Sequence, residues 1–191
     1  MSMKTPLYYL KTYGCQMNFS DSERLATKLD SLGYQPTLND QEADLIVLNS
    51  CSVRQSAEDR VWGMVNNYQK LKKYPKQPKI ILTGCMAKRP EIVNKMTGVD
   101  IFLDIKNIDQ LPKLLKVKSS NKKEVLNYFQ IQPKYQSNFT AYMPISTGCN
   151  NFCSYCIVPY VRGREFSRPF KEVLNDVEEL VQQGYKEIWL L

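Results

Sequence analysis

Three of the six cysteines in this 191-residue chain fall within eight positions, in the stretch TGCNNFCSYCIVPYVRG (147 to 163). Cys149, Cys153 and Cys156 are separated by three and then two residues. Thiolates so placed suit a soft or borderline metal, chiefly zinc or an iron-sulfur cluster. A closed site of either kind wants four protein ligands, so a trio leaves one place open for chemistry. Only Cys153 and Cys156 make the CxxC pair that four-cysteine zinc sites use twice. The longer step from Cys149 suits a loop wrapping three corners of a cubane, whose fourth iron is free to bind a substrate or cosubstrate and pass it an electron.

The other cysteines are far apart, in TYGCQMN, LNSCSVR and LTGCMAKR. Cys15, Cys51 and Cys85 each follow a segment that reads as a strand: LYYLKTY (7 to 13), DLIVLNS (44 to 50) and KIILTG (79 to 84). In a parallel sheet the C-terminal strand ends share one edge, so residues 36 and 34 positions apart can meet there. Glycine directly before Cys15 and Cys85 allows a tight turn or a close backbone approach. Free cysteine is often simply a buried small residue. Its recurrence at three successive strand ends favours a shared ligand.

The elements that must position these residues alternate between apolar runs and amphipathic segments, the pattern of a βαβ sheet. Ser20 and Glu23 predict a capping box for a helix through DSERLATKLDSL, ended by Gly33. A second helix is expected from Arg54 to Lys73, stopped near Pro75, and another with Pro90 in its first turn. DIFLD (100 to 104) predicts a fourth strand and NIDQLPKLLKV a terminal helix. Residues 119–140 lose the periodicity and read as a linker, with an extended stretch at Val125 to Ile131. A new unit follows: AYMPIST (141 to 147) as a strand, the cysteine loop, a helix through PFKEVLNDVEELVQQG, and a strand at KEIWLL. The expected class is therefore α/β, with an open parallel-sheet domain over 1–118, a linker over 119–140, and over 141–191 the start of a truncated partial (β/α) barrel, since such barrels need ~200 residues or more.

Composition narrows the chemistry. The absence of histidine excludes mixed Cys/His zinc fingers, Ser-His and Cys-His nucleophile pairs and any histidine base. The chain has neither a run long enough for a membrane span nor the unbroken apolar core of a signal peptide, so a cytoplasmic protein is expected. That compartment keeps thiols reduced, which favours metal or redox work over a disulfide framework. A formal charge of +7 and pI near 9.0 fit a nucleic-acid partner. Much of the excess lies in KLKKYPKQPK (70 to 79) and KLLKVKSSNKK (113 to 123), each of which also reads as an ordinary solvated lysine face.

The words GCNNFCSYCIVPYVRGREFSRP, YGCQMNFSDSE, NSCSVRQSAEDRVWG and TGCMAKR resemble the methylthiotransferase family of radical S-adenosylmethionine enzymes over essentially the whole chain. GCQMN, CSVR and PYVRGRE are most similar to the MiaB type, which modifies tRNA. The resemblance implies two [4Fe-4S] clusters, one on Cys149, Cys153 and Cys156 and an auxiliary one on Cys15, Cys51 and Cys85. It implies S-adenosylmethionine on the open iron of the first, with Tyr155 near its adenine; a plain packing aromatic is the other reading of Tyr155. The implied reaction generates a 5'-deoxyadenosyl radical and inserts a methylthio group at C2 of N6-isopentenyladenosine beside the anticodon, at tRNA position 37. Implied partners are tRNA, a one-electron reductant protein and a sulfur donor, with no membrane and a monomeric chain.

Arg162, Arg164 and Arg168 are candidates for tRNA phosphates or the cosubstrate carboxylate, or for pairing with Glu165 and neighbouring acids. The family also carries a C-terminal RNA-binding β domain, so this fragment alone is expected to be inactive. Competing classes are a zinc-containing RNA-binding module and a two-cluster electron carrier, the latter disfavoured because carriers close their clusters with four cysteines.

Overall fold

The computed structural model describes residues 5–53, 55–71, 77–117 and 128–191. In chain order its first unit contains β1 (Leu7–Tyr13), α1 (Gln16–Ser31), β2 (Gln35–Pro36), β3 (Leu45–Ser50), α2 (Gln55–Leu71), β4 (Lys79–Gly84), α3 (Pro90–Lys95), β5 (Ile101–Leu103) and α4 (Leu111–Leu115). The five strands form one sheet in the order β2-β1-β3-β4-β5, every pair parallel.

The central strand β3 is buried along its whole length, which is why LIVLNS carries no polar alternation. Leu45 and Val47 face one core with Leu25 and Leu29 of α1 and Leu111 and Leu115 of α4. Ile46 and Leu48 face the other, with Val61, Val65 and Tyr68 of α2 and Ile92 of α3. Helices on both faces thus seal the sheet and leave its strand ends as the accessible edge.

Several boundaries differ from the sequence expectation. α1 begins at Gln16, with Cys15 as its N-cap, and the capping interaction is the Cys15 backbone N–H donating to Asn18 Oδ1 at 3.3 Å. Ser20 and Glu23 do not cap, because both are engaged far along the chain: the Ser20 hydroxyl donates to the Tyr142 carbonyl at 2.9 Å, and Glu23 Oε1 accepts from the Gln136 N–H at 3.1 Å. Gly33 does end the helix, in the left-handed region at φ +84°. The two-residue β2 was not anticipated. The terminal helix is a 3-10 turn over Ile105–Gln110 followed by α4, the break falling where Pro112 enters. The expected Arg54, the end of the second helix beyond Leu71 and its stop at Pro75 lie outside the described residues, as do 118–127 of the basic and linker segments. Tyr128–Gln130, expected to be extended, forms a 3-10 turn, and Tyr128 and Ile131 are buried in the first core.

The second unit contains β6 (Thr140–Met143), β7 (Ser146–Thr147), α5 (Val158–Arg162), β8 (Phe166–Ser167), α6 (Phe170–Gln182) and β9 (Glu187–Leu190). β6 and β9 pair in parallel around α6, giving a βαβ unit. The single strand expected over 141–147 is split at Pro144, which lacks an N–H for the ladder, and β7 instead pairs antiparallel with β8. A small core of Ala141, Met143 and Leu180 joins Val173, Val177 and Ile188. Residues 131–142 run along α1, where Thr27 Oγ1 donates to the Gln132 carbonyl at 2.8 Å and Phe19 lies 6.3 Å from Tyr142, ring to ring. α1 is the spine shared by both units.

Candidate metal centre

Strand register fixes the first trio. Tyr13 of β1 pairs with Ser50 of β3, and Ser50 pairs with Gly84 of β4, so three adjacent strands end level. Cys51 and Cys85 follow directly and Cys15 follows one glycine later. Neighbouring strands lie about 4.8 Å apart, which brings the three residues to one short stretch of sheet edge.

The close packing behind them is polar. Asn49 Nδ2 donates to the Asn18 carbonyl at 2.7 Å and to Ser22 Oγ at 2.9 Å, and Asn18 Nδ2 donates to Asn49 Oδ1 at 3.0 Å. Gly84 sits against this network at φ +82°, where an added Cβ would stand 2.4 Å from Asn49 Oδ1 and 2.5 Å from the Ser50 carbonyl oxygen. Glycine is therefore required before Cys85 both by conformation and by space.

Cys51 and Cys85 are buried and Cys15 is half-buried. The Cys51 thiol hydrogen-bonds to Cys15, which, with the N–H groups of Asn18 and Met17 and the charge of Arg162, pulls the Cys15 thiol down to about 5 against the opposing effect of burial. Cys51 moves the other way, chiefly because its proton serves that bond and because it is buried. The Cys85 thiol is raised by burial, with Arg162 opposing. Cys15 sits at the N-terminus of α1, the position that favours an anion, and its Sγ lies 3.4 Å from Asn18 Oδ1. Arg162 of α5 reaches across from the second unit, its Nε donating to Cys85 Sγ at 3.2 Å and its Nη2 to Asp21 Oδ2 at 2.8 Å.

The second trio is a loop between β7 and α5. Gly148 enters it at φ +81°, with no room for a Cβ: the Arg164 and Gly163 carbonyl oxygens would lie 2.2 and 2.5 Å away. The Cys149 N–H donates to the Gly163 carbonyl at 3.1 Å, closing the base of the loop, and the Cys156 N–H donates to the Cys153 carbonyl at 2.9 Å. Cys153 is exposed, and Cys149 and Cys156 are half-buried. Tyr155 is 91% exposed. Phe152 takes φ +47° and its ring meets Tyr160 edge-on at 5.9 Å.

Among the described residues no set of three or more cysteine and acidic side chains is placed to hold a single metal ion. A cubane makes a different demand, with each thiolate on a separate iron. Three sulfurs on three strand ends, one at a helix N-terminus and another beside a guanidinium, are donors of the kind such a group takes.

The three arginines divide. Arg162 is buried on Asp21 and Cys85; Arg168 donates to Asp176 at 2.6 Å and lies 5.7 Å over the Phe129 ring; Arg164 is exposed. Sequence reasoning missed the buried Asp21, which also accepts from the Tyr128 hydroxyl at 2.5 Å. No local pattern marks it, since its partners are 107 and 141 positions away. Between the units lies a cavity of about 250 Å³ lined by Lys106, Tyr128, Phe129, Thr147, Arg162 and Phe166. Phe129 and Phe166 stack beside it at 5.5 Å. Among the described residues no helix is long and apolar enough to cross a membrane.

A doubly covered parallel sheet with cysteines at its strand ends, leading into a βαβ unit with a cysteine loop, places the chain in a class that sequence comparison defines. The chain belongs to the family described as Uncharacterized protein family UPF0004, whose model matches residues 7–104. The Radical SAM superfamily model matches residues 143–191, so the second unit is the start of a radical SAM domain. Among curated proteins, the chain is 46% identical, over 97% of its length, to the tRNA-2-methylthio-N(6)-dimethylallyladenosine synthase of Dictyoglomus thermophilum. It is 42% identical over 98% to the enzyme so named from Caldicellulosiruptor saccharolyticus, and 41% over 97% to that from Desulforamulus reducens. The chain spans 44%, 42% and 43% of the length of these three relatives.

Proposed function

We propose that the chain acts in radical S-adenosylmethionine-dependent methylthiolation of tRNA, at C2 of N6-isopentenyladenosine beside the anticodon, as the names of its relatives suggest. The observation that carries this reading is the common register of Tyr13, Ser50 and Gly84, which sets Cys15, Cys51 and Cys85 side by side while a second trio occupies the loop over 149–156. Two open sites suit a reaction that needs both a radical source and a sulfur donor.

In this reading Cys15, Cys51 and Cys85 hold an auxiliary [4Fe-4S] cluster, and Cys149, Cys153 and Cys156 hold the cluster that takes S-adenosylmethionine. Bound there, the second group supplies the electron that cleaves the sulfonium. The chain's own residues do the rest. The sheet edge presents one trio against a hydrogen-bonded frame of Asn18, Ser22 and Asn49, and the Gly163 carbonyl holds the base of the other loop at Cys149. Tyr155, exposed within the loop, is available to an adenine ring. The cavity between the units offers Phe129 and Phe166 for stacking and Lys106 for an anion, which suits a nucleotide. A one-electron reductant protein, a sulfur donor and a monomeric, cytoplasmic chain complete the proposal.

Anaerobic reconstitution with iron and sulfide tests it. About eight irons per chain, falling to about four in the Cys149/Cys153/Cys156 triple alanine variant, are expected for two separate cubanes. Negligible iron with roughly one bound zinc would replace this reading by a zinc-containing RNA-binding module.

A further inference from the structure

Arg162 and Gly163 are consecutive residues that serve both cysteine sets at once. The Gly163 carbonyl accepts from the N–H of Cys149, while the Arg162 side chain leaves the second unit to donate to the sulfur of Cys85 at 3.2 Å. Arg162 is only 8% exposed, and its remaining nitrogens fork onto Asp21, at 2.8 Å from Nη2 to Oδ2 and 3.4 Å from Nη1 to Oδ1. Asp21 is itself fully buried and is held from its other side by the Tyr128 hydroxyl at 2.5 Å.

Such a buried cation is too costly to desolvate for packing alone and persists where its donors are matched. The Asp21 carboxylate takes Nη1 and Nη2, and the Cys85 sulfur is the acceptor that Nε meets. The planar fork also fixes direction: with two nitrogens set by Asp21, Nε is aimed at one sulfur.

We infer that Arg162 is a positioning residue for the auxiliary trio, supplied by the second unit of the same chain, which holds the Cys85 sulfur in place and stabilises the added negative charge when the group bound there is reduced. The inference rests on the reading of Cys15, Cys51 and Cys85 as cluster ligands. It makes the first site incomplete without the turn that closes the second.

The test measures the midpoint potential of the auxiliary group in the Cys149/Cys153/Cys156 triple alanine background, where only the first trio carries iron. Hydrogen bonds and positive charge at the sulfurs favour the reduced cluster. Arg162→Met is expected to weaken one-electron reduction about tenfold, a shift of about 59 mV to more negative potential, at unchanged iron content. A midpoint equal to that of the background chain, with iron retained, would overturn the inference and leave Arg162 a strut between units. Should Arg162→Met not retain iron, Arg162→Gln, which keeps an amide donor without the charge, is measured in its place and judged by the same shift. Where neither retains iron, the two substitutions are made in the otherwise unchanged chain: loss of about four irons, with those of the 149–156 loop kept, supports a role in placing Cys85, and loss of both sets overturns it. If the background chain itself takes up no iron, the cluster reading falls and the inference with it.

Discussion

The two cysteine trios reach similar chemistry from opposite structural starting points. Cys15, Cys51 and Cys85 meet only because three strands of different origin in the chain end in register. Cys149, Cys153 and Cys156 lie on one loop bounded by a glycine and a backbone hydrogen bond. Closing a short loop costs little entropy and needs little fold, whereas joining residues 36 and 34 positions apart requires the sheet to exist first. The first trio therefore has the stability of the core behind it, and the second has the accessibility of a surface.

The largest expected consequence is in metal removal. With Cys153 exposed and Cys51 and Cys85 buried, an iron chelator applied anaerobically should strip the 149–156 loop at least about tenfold faster than the sheet-edge trio. Equal rates, followed by absorbance in the two single-trio variants, would erase the distinction drawn here.

A matched pair of glycine substitutions sharpens it further. Gly84→Ala forces a side chain into φ +82° and onto Asn49 and Ser50, so it should lower the stability of the whole first unit by about 1–3 kcal/mol from the strained backbone alone. In thermal melts that is several degrees. Gly148→Ala meets equally close carbonyls at φ +81°, but in a loop rather than between packed strands. Its expected effect is loss of iron from the second trio with a melting temperature near that of the parent. A large drop in melting temperature for Gly148→Ala would show that the loop is part of the same cooperative core.

The smallest effect concerns the junction of the units. Burial lifts the Glu23 carboxyl to about 7 from an ordinary 4.5, with the Gln136 N–H and Arg24 opposing. The folded chain thus holds a proton there that the unfolded chain has released. The resulting stabilisation is fully present below about 4.5 and is lost as pH rises through about 7. Melting temperature should therefore carry a component that falls between pH 5 and pH 8, and Glu23→Gln should remove that component. An unchanged pH profile in the variant would assign the dependence elsewhere.

Much of this arrangement was legible in the sequence, and the reason is local. Continuous apolar runs identified β3 and β4, the aromatic and aliphatic residues of LYYLKTY identified β1, and a cysteine after each suggested a shared edge. What escaped was whatever depended on distant partners. Ser20 and Glu23 have the spacing of a capping box, yet their side chains are consumed by Tyr142 and Gln136, 122 and 113 positions away. Asp21 is a polar residue among polar residues until Arg162 and Tyr128 fold onto it. β2, at two residues, is too short to carry a periodicity, and the split between β6 and β7 follows from the missing N–H of Pro144 rather than from any change in hydropathy.

The level ending of β1, β3 and β4 also constrains how such a chain can vary in length. Cys51 and Cys85 follow their paired positions by one residue, and Cys15 follows by two at the start of α1, so a residue gained or lost at any of these junctions would carry that thiol away from its neighbours at the edge. Insertions and deletions in related sequences should accordingly be absent between Tyr13 and Cys15, between Ser50 and Cys51, and between Gly84 and Cys85. They should gather instead in the connections that return each helix to the opposite edge of the sheet, where a change in length leaves the three sulfurs where they are.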